Sequence, residues 1–136
     1  MTENLLICVV CTGNICRSPM GQNILRHALA QAGLDDRVDV VSAGTSGWHV
    51  GHPADNRART ELLAHGYSDH HVAAHLGPQH YDADLVLAMD SEHVRMLERK
   101  RQLRDRVRLR QSAPLLRACQ AYLKMLLQLQ RSAVRD

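Results

Sequence analysis

Leu5–Val10 is an unbroken apolar run between polar neighbours, the pattern of a strand buried on both faces of a parallel sheet. From Arg17 onward, Met20, Ile24, Leu25, Ala28, Leu29 and Ala32 recur at helical spacing. Pro19 suits the first turn and Gly33 the end, so a helix follows the strand. Residues 38–44, VDVVSAG, read as a second strand. Ala54–His65 reads as a second helix, with Ala58, Leu62 and Leu63 on one face before Gly66. Residues 83–89, ADLVLAM, read as a third strand, and a helix from about Ser91 turns Val94 and Leu97 inward. Val107–Leu109 is a candidate fourth strand. The alternation predicts an α/β fold with right-handed crossovers: a three-layer sandwich around a four-stranded parallel sheet. Further on, Leu115, Cys119, Tyr122, Leu123, Leu126 and Leu127 predict a C-terminal amphipathic helix packed on that sheet.

Composition narrows this picture. A chain of 136 residues has room for a single domain, and 45% hydrophobic with 23% charged residues is globular composition. No apolar run approaches the roughly 18 residues of a membrane span, so no membrane partner is expected. The opening MTENLL has no basic segment of the secretory kind, which predicts a cytoplasmic protein with reduced cysteines. Net charge is only +3, although Arg and Lys concentrate after residue 94. With 3% aromatic residues and no stacking motif, RVRLR (106–110) reads as a solvated strand face, and no nucleic-acid partner is expected. Cys8 and Cys11 form a C-x-x-C with no second pair, so no structural zinc site is expected. His70, His71 and His75 lack partners at ligand spacing, and a solvated or network role is favoured over a metal.

Chemistry concentrates in VVCTGNICRSP, residues 9–19, where the first strand gives way to the first helix. In an open α/β fold this turn is a natural anion site, because successive backbone N–H groups and the helix N-terminus converge on it. Gly13 and Asn14 are residue types that tolerate the positive φ of such a curl. The same field favours the nucleophilic thiolate of a cysteine placed there, namely Cys11. Arg17 offers a planar bidentate clamp to phosphate oxygens, and Ser18 has a hydroxyl to donate to the sulfur.

Cys11-x5-Arg17-Ser18 is the loop pattern of cysteine-dependent phosphatases, and CTGNICRSPM closely resembles the low-molecular-weight protein tyrosine phosphatase family. Residues 42–55 (SAGTSGWHVGHPAD), 66–75 (GYSDHHVAAH) and 83–90 (ADLVLAMD) extend the resemblance over roughly the first 110 residues. It implies an enzyme in which Cys11 attacks phosphorus, a phosphocysteine forms and water hydrolyses it, with no cofactor. Cys11, Arg17 and Ser18 then form the catalytic set, and the loop Thr12, Gly13, Asn14, Ile15, Cys16, Arg17 and Ser18 cradles phosphate. Asn14, Ser42 and His71 match a network that supports the loop, and Trp48 matches a wall beside the substrate ring. The partners implied are phosphotyrosine-containing proteins, with inorganic phosphate or other oxyanions as inhibitors. Trp48 also has a simpler reading as a buried aromatic, although its neighbours Gly47, His49 and Gly51 place it on a loop. Cys16 is open to two readings: a reversible disulfide with Cys11, or a small hydrophobe. Cys8 and Cys119 read as core.

The resemblance breaks late in the chain. Family members carry an Asp-Pro acid on a loop before the final helix, whereas this chain reads RQSAPLLRACQ after RVRL, with Pro114 preceded by Ala113. Either that loop is deleted or the reading frame has changed after about Leu109, and no general acid is assigned. Asp90 and Asp105 are not expected near the loop mouth. Loss of an acid is worth about 10²–10⁴-fold in rate, which predicts a preference for aryl esters whose leaving groups need no proton. A non-catalytic phosphate- or phosphopeptide-binding module is the alternative. An arsenate reductase is disfavoured because no cysteine lies between Cys16 and Cys119, and a protein arginine phosphatase because Ile15 stands where that group has threonine.

Overall fold

The computed structural model describes residues 4–100 and 103–109. Strand β1 (Leu5–Cys11) runs through the middle of the sheet and pairs in parallel with β2 (Val38–Gly44) on one side and β3 (Leu85–Ala88) on the other. Flanked on both sides, it needs the continuous apolar run its sequence carries. Three strands form the body of the sheet. The expected fourth strand, Val107–Leu109 (β4), makes a parallel ladder of three residues along β3. The strand order is β2-β1-β3-β4, so the chain leaves β1 in one direction and returns on its other side. That reversal opens a crevice beyond the carboxyl ends of β1 and β3, where ligands bind in such sheets.

Helix α1 (Arg17–Gln31) covers one face of the sheet, with Leu25 and Leu29 packed among Ile7, Val9, Val40 and Leu87. Leu97 of α3 (Ser91–Glu98) covers the other, among Cys8, Val10, Val86 and Ala88. Helix α2 (Asn56–Ala64) packs Ala58 and Leu62 on Met20 and Ile24 of α1. α1 and α2 end alike: Leu34 N–H bonds the Leu29 carbonyl past Gly33 (φ 73), and Tyr67 N–H bonds the Leu62 carbonyl past Gly66 (φ 81). Only glycine adopts that left-handed backbone without steric cost, which is why both helices stop where the sequence places a glycine. β2 is an edge strand, and Arg26 of α1 covers part of it by donating Nε–H to the Val40 carbonyl at 2.9 Å.

Two expected inward positions face out. Ala32 lies beyond the last turn of α1 and is exposed, and Leu63 is 57% exposed. α2 turns one narrow face to the molecule, and Ala58 and Leu62 are its buried residues. Val94 is half-buried against the second face. The expected C-terminal helix, Cys119 and the acid-loop region lie outside the described residues. Among the described residues, no helix is long and apolar enough to cross a membrane.

Leu62→Ala, at a fully buried position, should cost about 2–5 kcal/mol of unfolding free energy, against about 0.5 kcal/mol or less for Leu63→Ala. Urea unfolding checks both, and equal losses would contradict this packing of α2.

Candidate active site

Cys11 is the last residue of β1, paired with Gly44 at the end of β2, and residues 12–16 curl from there into the N-terminus of α1. The loop's carbonyls face away from its hollow. Those of Cys11 and Thr12 accept N–H bonds from Thr45 and Ser46, that of Ile15 from Asp55, and that of Cys16 from Met20. The carbonyl of Asn14 accepts from His71 Nε2 at 2.6 Å, which fixes the proton of His71 on that nitrogen. In a trans peptide the N–H of the next residue points opposite to the carbonyl. The N–H groups of Thr12, Gly13, Ile15, Cys16 and Arg17 are thereby turned to the inner side, the arrangement that takes up an anion.

Two residues set the curl, for different reasons. Asn14 has φ 57, the only non-glycine residue at positive φ among those described, and its short polar side chain offsets the strain. Gly13 was expected to share that conformation and does not. Instead, a Cβ on Gly13 would lie 3.0 Å from the ring of His49, so glycine admits that ring. Gly44 is stricter, since a Cβ there would stand 2.7 Å from the Thr12 carbonyl oxygen.

Beneath the loop runs a buried polar chain. Asn14 Nδ2 donates to Ser18 Oγ at 2.7 Å and to Ser42 Oγ at 2.9 Å, while Asn14 Oδ1 accepts from the Ala74 N–H at 2.8 Å. Ser42 Oγ donates to Gln22 Oε1 at 2.7 Å. Ser18 Oγ lies 2.9 Å from Cys11 Sγ, and because Asn14 already donates to that oxygen, the hydroxyl's own proton is available to the sulfur. The structure thus brings Asn14, Ser18, Ser42 and His71 together beneath the loop. Gln22 joins them unpredicted, its only trace being a polar residue on the otherwise apolar side of α1.

Asp90 does lie at the loop mouth, contrary to expectation. It caps α3 by accepting the His93 N–H at 2.9 Å, and its other oxygen takes Arg17 Nη1 at 3.1 Å. Burial alone would raise its carboxyl, but the His93 N–H and the Arg17 guanidinium outweigh that and hold it below the ordinary carboxylate range. Asp90 is therefore an ion-pair partner rather than a proton donor at neutral pH. His93 also reaches the loop, with Nε2 at 2.9 Å from Thr12 Oγ1. The sequence signal for this bracket was an Asp opening a helix immediately after a strand, three residues before a His.

Trp48 is 81% exposed, on the same loop as His49, so the reading as a buried aromatic is set aside. Cys16 is half-buried beside the α1–α2 contact, and burial, with Asp55 and Cys11 adding to it, pushes its thiol up to about 11. Burial pushes Cys8 in the core up to about 12. Both are poor nucleophiles as they stand. His75 Nε2 donates to the Thr45 carbonyl at 3.2 Å, and His70 contributes its backbone carbonyl to Asn23 Nδ2 at 3.0 Å. Among the described residues no three His, Cys, Asp or Glu side chains are grouped to hold a metal ion.

Residues 6–113 match the model of a family described as low molecular weight phosphotyrosine protein phosphatase. The chain belongs to that family. Low molecular weight protein-tyrosine phosphatase A of Mycobacterium tuberculosis is 50% identical over 97 residues, covering 71% of this chain and 60% of the relative. The chain thus spans less than two thirds of the length of that phosphatase. Among solved structures, YfkJ of Bacillus subtilis is similar at TM-score 0.78 and 25% identity, over 96% of this chain and 92% of that one. A structure of the YwlE arginine phosphatase carrying a phosphorylated active-site serine is similar at TM-score 0.75 and 27% identity, over 94% and 92%. The loop described above thus belongs to a low molecular weight phosphatase fold, at the carboxyl end of its central strand.

Burial is the largest influence on His71, His80 and His93, and it holds all three below the ordinary histidine value. A group whose folded value is depressed binds its proton less readily in the folded state, so the stability it contributes is lost as pH falls below the unfolded value. Unfolding free energy should therefore decrease from about pH 7.5 to about pH 5, and His80→Gln should flatten the slope. Urea unfolding across that range tests this, and a protein that gains stability on acidification would contradict it.

Proposed function

We propose that this protein is a phosphotyrosine protein phosphatase acting through a cysteinyl-phosphate intermediate. The observation that carries the reading is the juxtaposition of Cys11 Sγ and Ser18 Oγ at 2.9 Å, within a loop where the carbonyls of Cys11, Thr12, Asn14, Ile15 and Cys16 are each engaged by a hydrogen bond. Family membership supports it. Phosphotyrosine-bearing proteins are the substrates proposed, inorganic phosphate and other oxyanions the inhibitors, and the cytoplasm the setting. Residues 1–136 are read as one domain.

The Cys11 thiolate attacks phosphorus in line. An S–P bond forms as the P–O bond to the leaving group breaks, and the oxygen departs with the electron pair. Inward N–H groups and Arg17 meet the charge of the equatorial oxygens. Water then attacks phosphorus, phosphate leaves, and the sulfur recovers its electron pair with the Ser18 hydroxyl to stabilise it. Trp48, exposed near the loop, is proposed as a wall for the aromatic ring. Asp90 stays ionised on Arg17, and no Asp-Pro pair occurs in the sequence, so no residue is assigned to protonate the departing phenolate.

That missing pair favours a second reading, a phosphate- or phosphopeptide-binding module that retains the loop without turnover. Likeness to an arginine phosphatase raises a third substrate class, which Ile15 in the loop disfavours. Steady-state hydrolysis of p-nitrophenyl phosphate beside a phosphotyrosine peptide separates these readings. Turnover of the activated ester that Cys11→Ser abolishes, and that Arg17→Lys lowers about 10²-fold, is expected. The peptide should turn over more slowly by about 10²–10⁴-fold if no acid acts. No turnover of either, with phosphate binding intact, would establish the binding module instead.

A further inference from the structure

Both ends of the loop are fastened to the first turn of α3. Thr12 Oγ1, directly after Cys11, lies 2.9 Å from His93 Nε2, and Arg17, at the far end, donates Nη1–H to Asp90 Oδ2 at 3.1 Å. Asp90 joins the two, because its Oδ1 accepts the His93 N–H at 2.9 Å. The His93 side chain is almost fully buried, and its Nδ1 makes no hydrogen bond, although it faces Asp90 Oδ1 at 3.2 Å. A buried nitrogen left without a hydrogen bond beside a carboxylate costs free energy, and a proton on it, with a turn of the ring toward Asp90 Oδ1, would remove that cost. The charged groups that act on His93 are Asp90 and Glu92 from α3 and Arg17 from α1, while Thr12 supplies an uncharged hydroxyl.

We propose that His93 is a positioning residue that governs how freely Arg17 engages an oxyanion: uncharged it leaves Asp90 to Arg17, and protonated it takes the carboxylate for itself. An imidazolium donates from both nitrogens, so Nε2–H keeps Thr12 while Nδ1–H gains Asp90 Oδ1. Arg17 then shares its carboxylate with a second cation, the net charge at the mouth rises by one, and the loop holds a dianion more tightly. Burial, with Arg17 adding repulsion, keeps His93 below the ordinary histidine value, so the change falls on the acid side of neutrality. By reciprocity, a bound dianion raises the pH at which His93 takes its proton. The inference rests on the reading of the loop as an oxyanion site.

The test is calorimetric titration with sulfate, a dianion throughout, from about pH 7.5 to about pH 5. It is made in a Cys11→Ser background, so that the sulfur takes no part. His93→Gln keeps a polar atom near Thr12 but holds no proton, and Asp90→Asn preserves a good cap for α3 while removing the charge. Every other group is common to the three proteins and cancels in the comparison. Acidification should tighten sulfate binding about 3–10-fold more in the parent than in either variant, equivalent to up to about one unit of linked proton affinity. If His93→Gln does not fold, Asp90→Asn carries the comparison. Parallel pH profiles, or weaker parent binding at acid pH, overturn the role of His93 and leave the proposed function standing. Failure of the parent to bind sulfate at any pH overturns both.

Discussion

Asn14 is the residue on which the loop depends. Buried and held at φ 57, it spends its side-chain amide on Ser18, Ser42 and Ala74 and its carbonyl on His71. Those partners come from α1, β2 and the segment that precedes β3, so one side chain ties the loop to the adjoining helix and to two distant parts of the chain. An unsatisfied buried polar group costs about 1–3 kcal/mol, and removing this amide would orphan several at once. The curl is thus held by polar bonds fixed before any anion arrives, which spares a ligand the cost of ordering it.

A loop that gathers N–H groups needs its surroundings to tolerate the charge it attracts. Burial keeps His71 uncharged while its Nε2–H holds the Asn14 carbonyl, so the support bond does not depend on charge. Asp90 answers Arg17 from outside the hollow, at the first turn of α3. Core packing sets these positions: Leu97 fixes α3 on one face of the sheet and Leu25 and Leu29 fix α1 on the other. The loop lies between the starts of the two helices, beyond the end of β1.

Much of this was legible in the sequence because its signals are local. The strand–helix alternation is a matter of period, and Gly33 and Gly66 end helices for steric reasons confined to a few residues. The resemblance carried the positions of Asn14, Ser42 and His71. Periodicity failed where it had to know what covers a face: Leu63 is apolar at the right spacing but stands exposed. Gly13 was assigned a dihedral reason when its true constraint is the ring of His49, which comes from another loop.

By itself, then, the sequence determined the order of elements, the place of the loop between β1 and α1 and the identity of the residues within it, since each depends on spacing along the chain. Only the tertiary structure decided which groups meet across it. Asp90 on Arg17 and His93 on Thr12 join residues 73 and 81 positions apart, and these contacts exist because β1 and β3 are neighbours in the sheet. Strand order is a property of the packed whole, and no local pattern in the chain encodes it.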